Sequence, residues 1–369
     1  MALASEKTNR FIIRRPDDFH PHLRTDIMMR SILPYTVVHF ARAMIMPNTS
    51  PNPILTAEDA LEYRRDILEA CQSWKESKTF VPLMTIQITD NTTTKMIREA
   101  KASGVVIAGK VYPKGATTNS HNGVSDFQKL RPVFEAMQEV GLVLSIHGQE
   151  PASFCLSREV DFLPTLEALS RDFPELKIVL EHISTRTAMN RVRELPKNVA
   201  ATITAHHLVM TLDDVLSFPN KEGNPGINPH NYCQPILQTP EDREALVWAA
   251  TDQNPKFFFG SDSAPHAQDR KENACGCAGV FSANVALSVL AGLFHREFQT
   301  RSVPQPFLAA ANALENFVSL YGASFYGLPP NEGQITIQKR QWAVQAIVGA
   351  GVVPMYAGKT LEWQADDDW

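Results

Sequence analysis

The chain has 369 residues, of which 44% are hydrophobic and 20% charged, the balance of a globular protein large enough for one big barrel or two medium domains. A formal net charge of -5 and the lack of any basic run exclude a nucleic-acid-coating surface. An anionic small substrate stays compatible, because one or two arginines inside a pocket outweigh remote, screened surface charge.

The start, MALASEKTNR, carries no apolar stretch, so no secretory signal is expected. The longest apolar region, Val280 to Phe294, is too short to span a bilayer and is interrupted by Ser282, Asn284 and Ser288. The 5 cysteines, Cys71, Cys155, Cys233, Cys275 and Cys277, have no framework-like spacing, which points to reduced thiols and a cytoplasmic protein. Cys275-Gly-Cys277 has no second pair at zinc-finger spacing and reads as packing thiols rather than a metal pair.

In chain order, strand-like runs fall at Phe11–Ile13 leading into Asp17–His22, then Val37–Met46, Phe80–Ile88, Val105–Tyr112, Leu142–His147, Lys177–His182, Val199–His206 and Lys256–Asp262. Most are nearly continuous in apolar residues, as strands covered on both faces should be. The first is interrupted by Pro16. Helical patterns lie between them at Thr56–Ser73, Thr93–Ala102, Phe127–Val140, Thr165–Phe173, Thr187–Leu195 and Pro240–Ala250. Thr56 and Asp59 form a capping-box-like start, and Gly104 and Gly141 stand where a helix would stop. Eight strands with intervening helices predict a (β/α)8 TIM barrel of the α/β class, filling 1–369 as a single domain with no linker. An open doubly wound sheet would give a similar string; the count of eight and the placing of the polar residues favour the barrel.

Barrel active sites lie at the carboxyl ends of the strands. His20 and His22 end the first run, Asn48 follows the second, Lys110 lies in the fourth, and His147, His182 and His206-His207 close the next three. Asp262 closes the eighth, with His266 four residues on. Residues two apart on a strand face the same way, so His20 and His22 can reach one ion. Alone they could equally be a solvent-facing pair; three further strands ending in His, His and Asp favour ligands. Imidazoles with a carboxylate suit zinc. That many ligands exceeds what one catalytic zinc uses and fits two bridged ions. A bridge must be anionic, and Lys110 qualifies only if its desolvated amine takes up carbon dioxide to become a carbamate; otherwise it is salt-bridged or snorkelling.

At these residues the sequence resembles the amidohydrolase superfamily, and within it the shorter, bacterial-type dihydroorotases also found in fungi. The matching motifs are DFHPHLR (18–24), MPN (46–48), GKVYPKGATTNS (109–120), IHGQ (146–149), EHIST (181–185), GSDSAPH (260–266) and RKENACGCAG (270–279). The resemblance implies one zinc on His20, His22 and Asp262, a second on His147 and His182, and N6-carboxylated Lys110 bridging them. It implies a shared hydroxide that attacks the ring amide, with Asp262 as general acid/base, in the reversible conversion of N-carbamoyl-L-aspartate to (S)-dihydroorotate during de novo pyrimidine synthesis. Arg24, two residues beyond His22, would pair with the substrate carboxylate, helped by Asn48 and His266. Relatives that open neutral rings resemble DxHTH here and lack this arginine. The loop 114–120 would close over the ligand through Thr117 and Thr118. Gln234, where leucine is usual, and Ala278, through its backbone, would line the ring site, and Asn228 replaces a basic residue. A homodimer is implied as well. His207 reads as ligand support or a packed histidine; His39, His121, His230 and His295 read as structural, with His230 the first exception. A hydantoinase-like hydrolase and a barrel that has lost catalysis are the competing readings, and the full ligand set speaks against the latter.

Overall fold

The computed structural model describes residues 3–5, 9–72, 79–219, 223–274 and 276–366. Eight parallel strands form one sheet in sequential order: β1 (Asp17–Asp18), β2 (Arg42–Ile45), β3 (Val81–Ile88), β4 (Val106–Val111), β5 (Val143–Ile146), β6 (Ile178–Leu180), β7 (Val199–Ile203) and β8 (Phe257–Phe259). Helices between the strands cover the outside, so apolar residues are buried on both faces and the amphipathic alternation of an open sheet is absent. This is the TIM-barrel architecture.

Between β8 and β1, the ends of the barrel sheet, a side chain makes the join. Asp18 accepts from Ser261 N (2.9 Å), Ser261 Oγ (2.5 Å) and His20 N (3.1 Å) while fully buried. His22 N donates to Ser263 O at 2.9 Å just above it. The join therefore fixes the backbone on either side of His20 and Asp262. Inside the barrel, Phe19, Met44, Leu83, Ala108, Val143, Val179, Ala200 and Phe258 form an apolar plug. Tyr326, from the C-terminal helix Tyr321–Tyr326, stacks on Phe19 with ring centroids 5.0 Å apart. The plug sits at the amino-terminal halves of the strands, so only their carboxyl ends are left to carry polar side chains.

Several sequence expectations need correcting. Phe11–Ile13 is not barrel: Arg10–Arg14 pairs antiparallel with Gln334–Gln338 in a separate 4-stranded sheet, and Pro16 marks the break between the two sheets. Val37 to His39 end a helix, Asp26–His39, that contains Pro34. The helix expected from Thr165 starts at Arg158, because Pro164 sits inside it. His206 and His207 do not end β7 but open a short helix, Ala205–Val209, capped by Thr204. The capping box at Thr56 and Asp59 is present in full, and Gly141 takes the left-handed conformation (φ 66°) that ends Arg131–Val140. No helix among the described residues is long and apolar enough to cross a membrane.

Candidate metal and substrate site

The carboxyl ends of β1, β4, β5, β6 and β8 bring the expected ligands together at one narrow cleft. His20, His22, His147, His182 and Asp262 line it and are all buried. Ligand atoms of His20, His22 and Asp262 lie within 4.8 Å of one another. His22 Nε2 is 3.1 Å from Asp262 Oδ1, and His20 Nε2 is 3.7 Å from the same oxygen. On the opposite wall His147 Nδ1 and His182 Nε2 approach to 3.0 Å. Two nitrogens on one tetrahedral zinc at about 2.05 Å would stand about 3.3 Å apart, so both clusters have the spacing of ligand pairs.

Two of the imidazoles are held by their other nitrogen. His20 Nδ1 meets Glu181 Oε2 at 2.8 Å, and that oxygen also accepts from Thr202 Oγ1 at 2.6 Å. His147 Nε2 meets Gln149 Oε1 at 2.7 Å. Such partners fix the tautomer that turns the free lone pair toward an ion. His182 and Asp262 also carry left-handed backbone, at φ 42° and 43°, as does Arg24 at φ 61°. Such strain in non-glycine residues concentrates at functional sites.

Burial and the neighbouring charge of Lys110 push His147 down to about 3 and lower His20, so the imidazoles are neutral and their lone pairs available. Burial lowers His182 and His22 well below the ordinary range as well. Burial raises the Asp262 carboxyl, against the opposing pull of His20 and Lys110. Glu181 is also buried, but His20 and Lys110 more than offset this and hold it below the usual carboxylate value.

Lys110 is fully buried, and its Nζ has no hydrogen-bond partner. Burial brings it down to about 8. It reaches neither solvent nor a salt bridge, so the snorkelling and ion-paired alternatives do not hold. An orphaned, desolvated amine among four imidazoles and an aspartate is poor as a free cation. It fits well as the stem of an anionic bridge, and the donor set fits zinc.

Arg24 lies at the rim, half-buried. Its Nε donates to Pro265 O at 3.1 Å, and Nη2 lies 3.0 Å from His266 Nε2. The same His266 nitrogen is 3.1 Å from Ala278 O and can serve one of these partners at a time. Asn48 Nδ2 donates to Thr118 O at 3.3 Å, and Asn119 Nδ2 donates to Asn48 O at 3.1 Å, so the loop carrying Thr117 and Thr118 is drawn over the cleft. Gln234 lines the cleft, yet its side chain is engaged by protein: Oε1 accepts from Gln149 Nε2 and Nε2 donates to Tyr232 OH, each at 3.1 Å. Gln234 thus ties this segment to His147 through Gln149.

The amidohydrolase family model matches residues 11–346. A dihydroorotase of Shewanella loihica is 45% identical over 361 residues, covering 96% of this chain and 98% of that protein. The chain belongs to the amidohydrolase family, among its dihydroorotases. A crystal structure of the dihydroorotase of Campylobacter jejuni superposes with a TM-score of 0.85 at 37% identity, covering 98% of this chain and 99% of that one. The dihydroorotase of Saccharomyces cerevisiae, in complex with 5-fluoroorotic acid, gives 0.85 at 33% identity, covering 97% and 98%.

Sequence reading of this dihydroorotase missed several residues that shape the site. Glu181 and Gln149 sit in the EHIST and IHGQ motifs without an assigned task. Tyr112, whose buried hydroxyl is unpartnered, lines the cleft with its ring centroid 5.1 Å from Lys110 Nζ. Lys271 donates to Tyr232 O (2.9 Å), Cys277 O (2.9 Å) and Gly279 O (2.6 Å), lacing two lining segments together. His207 is a packed, bonded histidine held by Thr204 Oγ1 (2.8 Å) and Pro235 O (3.1 Å). His39 and His295 pack against Ala283 O and Trp363, and His230 pairs with Glu272 at 2.8 Å. Asn228 caps the turn at His230. Cys71 and Cys233 are buried thiols, while Cys155 and Cys277 are partly exposed, so thiol packing does not describe Cys277; Cys275 lies outside the described residues.

Proposed function

We propose that this dihydroorotase interconverts N-carbamoyl-L-aspartate and (S)-dihydroorotate with two zinc ions, one held by His20, His22 and Asp262, the other by His147 and His182, and both by carboxylated Lys110. The observation that carries the reading is the unpartnered, fully buried Lys110 Nζ among these five ligands. When bound, the two zincs supply Lewis acidity at the ring carbonyl and lower the pKa of water to about 7.

The chain's own residues do the rest. Arg24, with Asn48 and His266 beside it, binds the substrate carboxylate and sets the ring amide over the ligand cluster. Thr117 and Thr118 close the loop and exclude bulk water. Asp262 takes a proton from the attacking water and delivers it to the ring nitrogen as the C–N bond breaks; in ring closure the same proton returns. A carboxyl raised by burial, with His22 Nε2 3.1 Å and His20 Nε2 3.7 Å from its Oδ1, is suited to accept and release it. The neutral-ring reading lacks an employer for Arg24. A spectrophotometric assay of dihydroorotate ring opening, repeated after chelation and zinc restoration, tests the proposal. Turnover that survives full removal of metal, or turnover of neutral dihydropyrimidines with none of dihydroorotate, overturns it.

A further inference from the structure

Among the described residues, Gln87 stands beside Lys110 with both polar atoms of its amide idle. It is fully buried, and neither its Nε2 nor its Oε1 has a hydrogen-bond partner. Native proteins rarely leave both ends of a buried amide unpaired, since desolvation without compensation is costly. Its place in the sheet is defined. Gln87 on β3 stands directly opposite Lys110 on β4 in the parallel ladder. Ile86 and Ile88 belong to the core outside the barrel, so Gln87 between them faces inward, as Lys110 does two residues after inward-facing Ala108. A shift of register between Met84 and Thr85 brings the two into this pairing, and bulges of this kind re-aim side chains beside active sites. Two inward side chains, adjacent on neighbouring strands, therefore both lack partners for their polar ends.

We infer that Gln87 is a positioning residue for carboxylated Lys110, its amide supplying the hydrogen bonds that stabilise and orient the carbamate. The inference rests on the bridging role proposed above. In the modification the lysine amine attacks carbon dioxide, a nitrogen–carbon bond forms and one nitrogen proton leaves to solvent. The product keeps one N–H and gains two oxygens. A primary amide matches both functions: Nε2 donates to a carbamate oxygen and Oε1 accepts from the remaining N–H.

The test uses Gln87→Met, which keeps length and apolar volume, and Gln87→Glu, which sets a negative charge beside the carbamate. Metal-stripped wild type and variants are reloaded with zinc across a range of 13C-labelled bicarbonate. The labelled carbamate carbon is followed by NMR and zinc per chain by elemental analysis. Melting curves of the metal-free proteins establish that both variants fold. Losing a hydrogen bond to a charged group shifts an equilibrium about tenfold or more, so half-saturating bicarbonate is expected to rise at least about tenfold in Gln87→Met and further in Gln87→Glu. A wild-type carbamate signal that both variants keep at unchanged bicarbonate overturns the inference alone. A wild type that loads two zincs without the labelled carbon overturns the bridging reading and this inference with it.

Discussion

Replacing Arg24 by Met separates substrate recognition from metal binding. The guanidinium carries five N–H donors, and two are already committed, Nε–H to Pro265 O and one on Nη2 toward His266. The remaining donors belong to a side chain that lines the cleft and are enough for a two-point grip on a carboxylate. Hydrogen bonds to charged groups are worth about 1.5–3 kcal/mol each, and two that share one partner are not additive, so the loss is about 3–4 kcal/mol. That is a fall of about 10²–10³ in kcat/KM for dihydroorotate. Met keeps most of the stem's packing, and Arg24 supplies no metal-ligand atom, so zinc content should stay at the wild-type value. The assay is ring opening across substrate concentration, with zinc measured on the same preparation and dihydrouracil as the uncharged comparison. The neutral ring should lose nothing further. An unchanged KM and kcat for dihydroorotate, or a loss explained by missing zinc, would refute the carboxylate role.

Lys110→Ala should abolish turnover and lower zinc per chain; two tightly held zincs with normal activity would contradict the bridge. Glu181→Gln leaves His20 Nδ1 with a neutral acceptor in place of a carboxylate, and zinc affinity should fall about 10–100-fold, read by competition with a chromogenic chelator. Chelation should lower the melting temperature, because free zinc at about a thousandfold above its Kd stabilises the folded state by about 4 kcal/mol; identical melting curves with and without metal would count against a site linked to folding. Asp18→Ala strips two backbone N–H groups and the Ser261 hydroxyl of their acceptor at the barrel join, a cost of about 3–5 kcal/mol, whereas Asp18→Asn keeps an acceptor and should cost less than about 1.5 kcal/mol in denaturant melts.

The parts of the barrel that were readable in the sequence are those where a local signal and the final environment agree. β3, β4 and β7 are runs buried on both faces, and the helix Ala57–Cys71 begins with a cap that needs only Thr56 and Asp59. Misreadings arose where a neighbour decides. Phe11 and Ile13 look like barrel residues by hydrophobicity, but their partner strand lies more than three hundred residues away, at Gln334–Gln338, and no local pattern reveals it. Asp26–His39 was hidden because its residues are apolar on several sides and Pro34 mimics a stop. β1 has only two ladder residues, Asp17 and Asp18, which pair with Arg42 and Ala43 of β2, too short a run for a local pattern to bound.

The site followed a different logic. The proposed metal ligands were legible because they stand at or near strand ends, and the barrel geometry turns that one-dimensional regularity into convergence at one mouth. Supporting groups were not, since a glutamate or glutamine beside a histidine is unremarkable until the distance is known. Glu181 precedes His182 in the chain but serves His20, 161 positions away, and Gln149 serves both His147 and Gln234. Their roles become visible through pairing: a buried polar atom with a partner, as at Glu181 and Gln149, holds an imidazole in place, whereas Lys110, Gln87, Tyr112 and His182 Nδ1 have polar atoms without one. Those four belong to the barrel interior at its carboxyl-terminal mouth, at the opposite end from the apolar plug of Phe19, Phe258 and Tyr326. A scaffold that had lost its chemistry would have no reason to keep four imidazoles and a carboxylate buried together in one cleft, where each polar group costs free energy to desolvate. Their convergence therefore favours a working site over a relic of one.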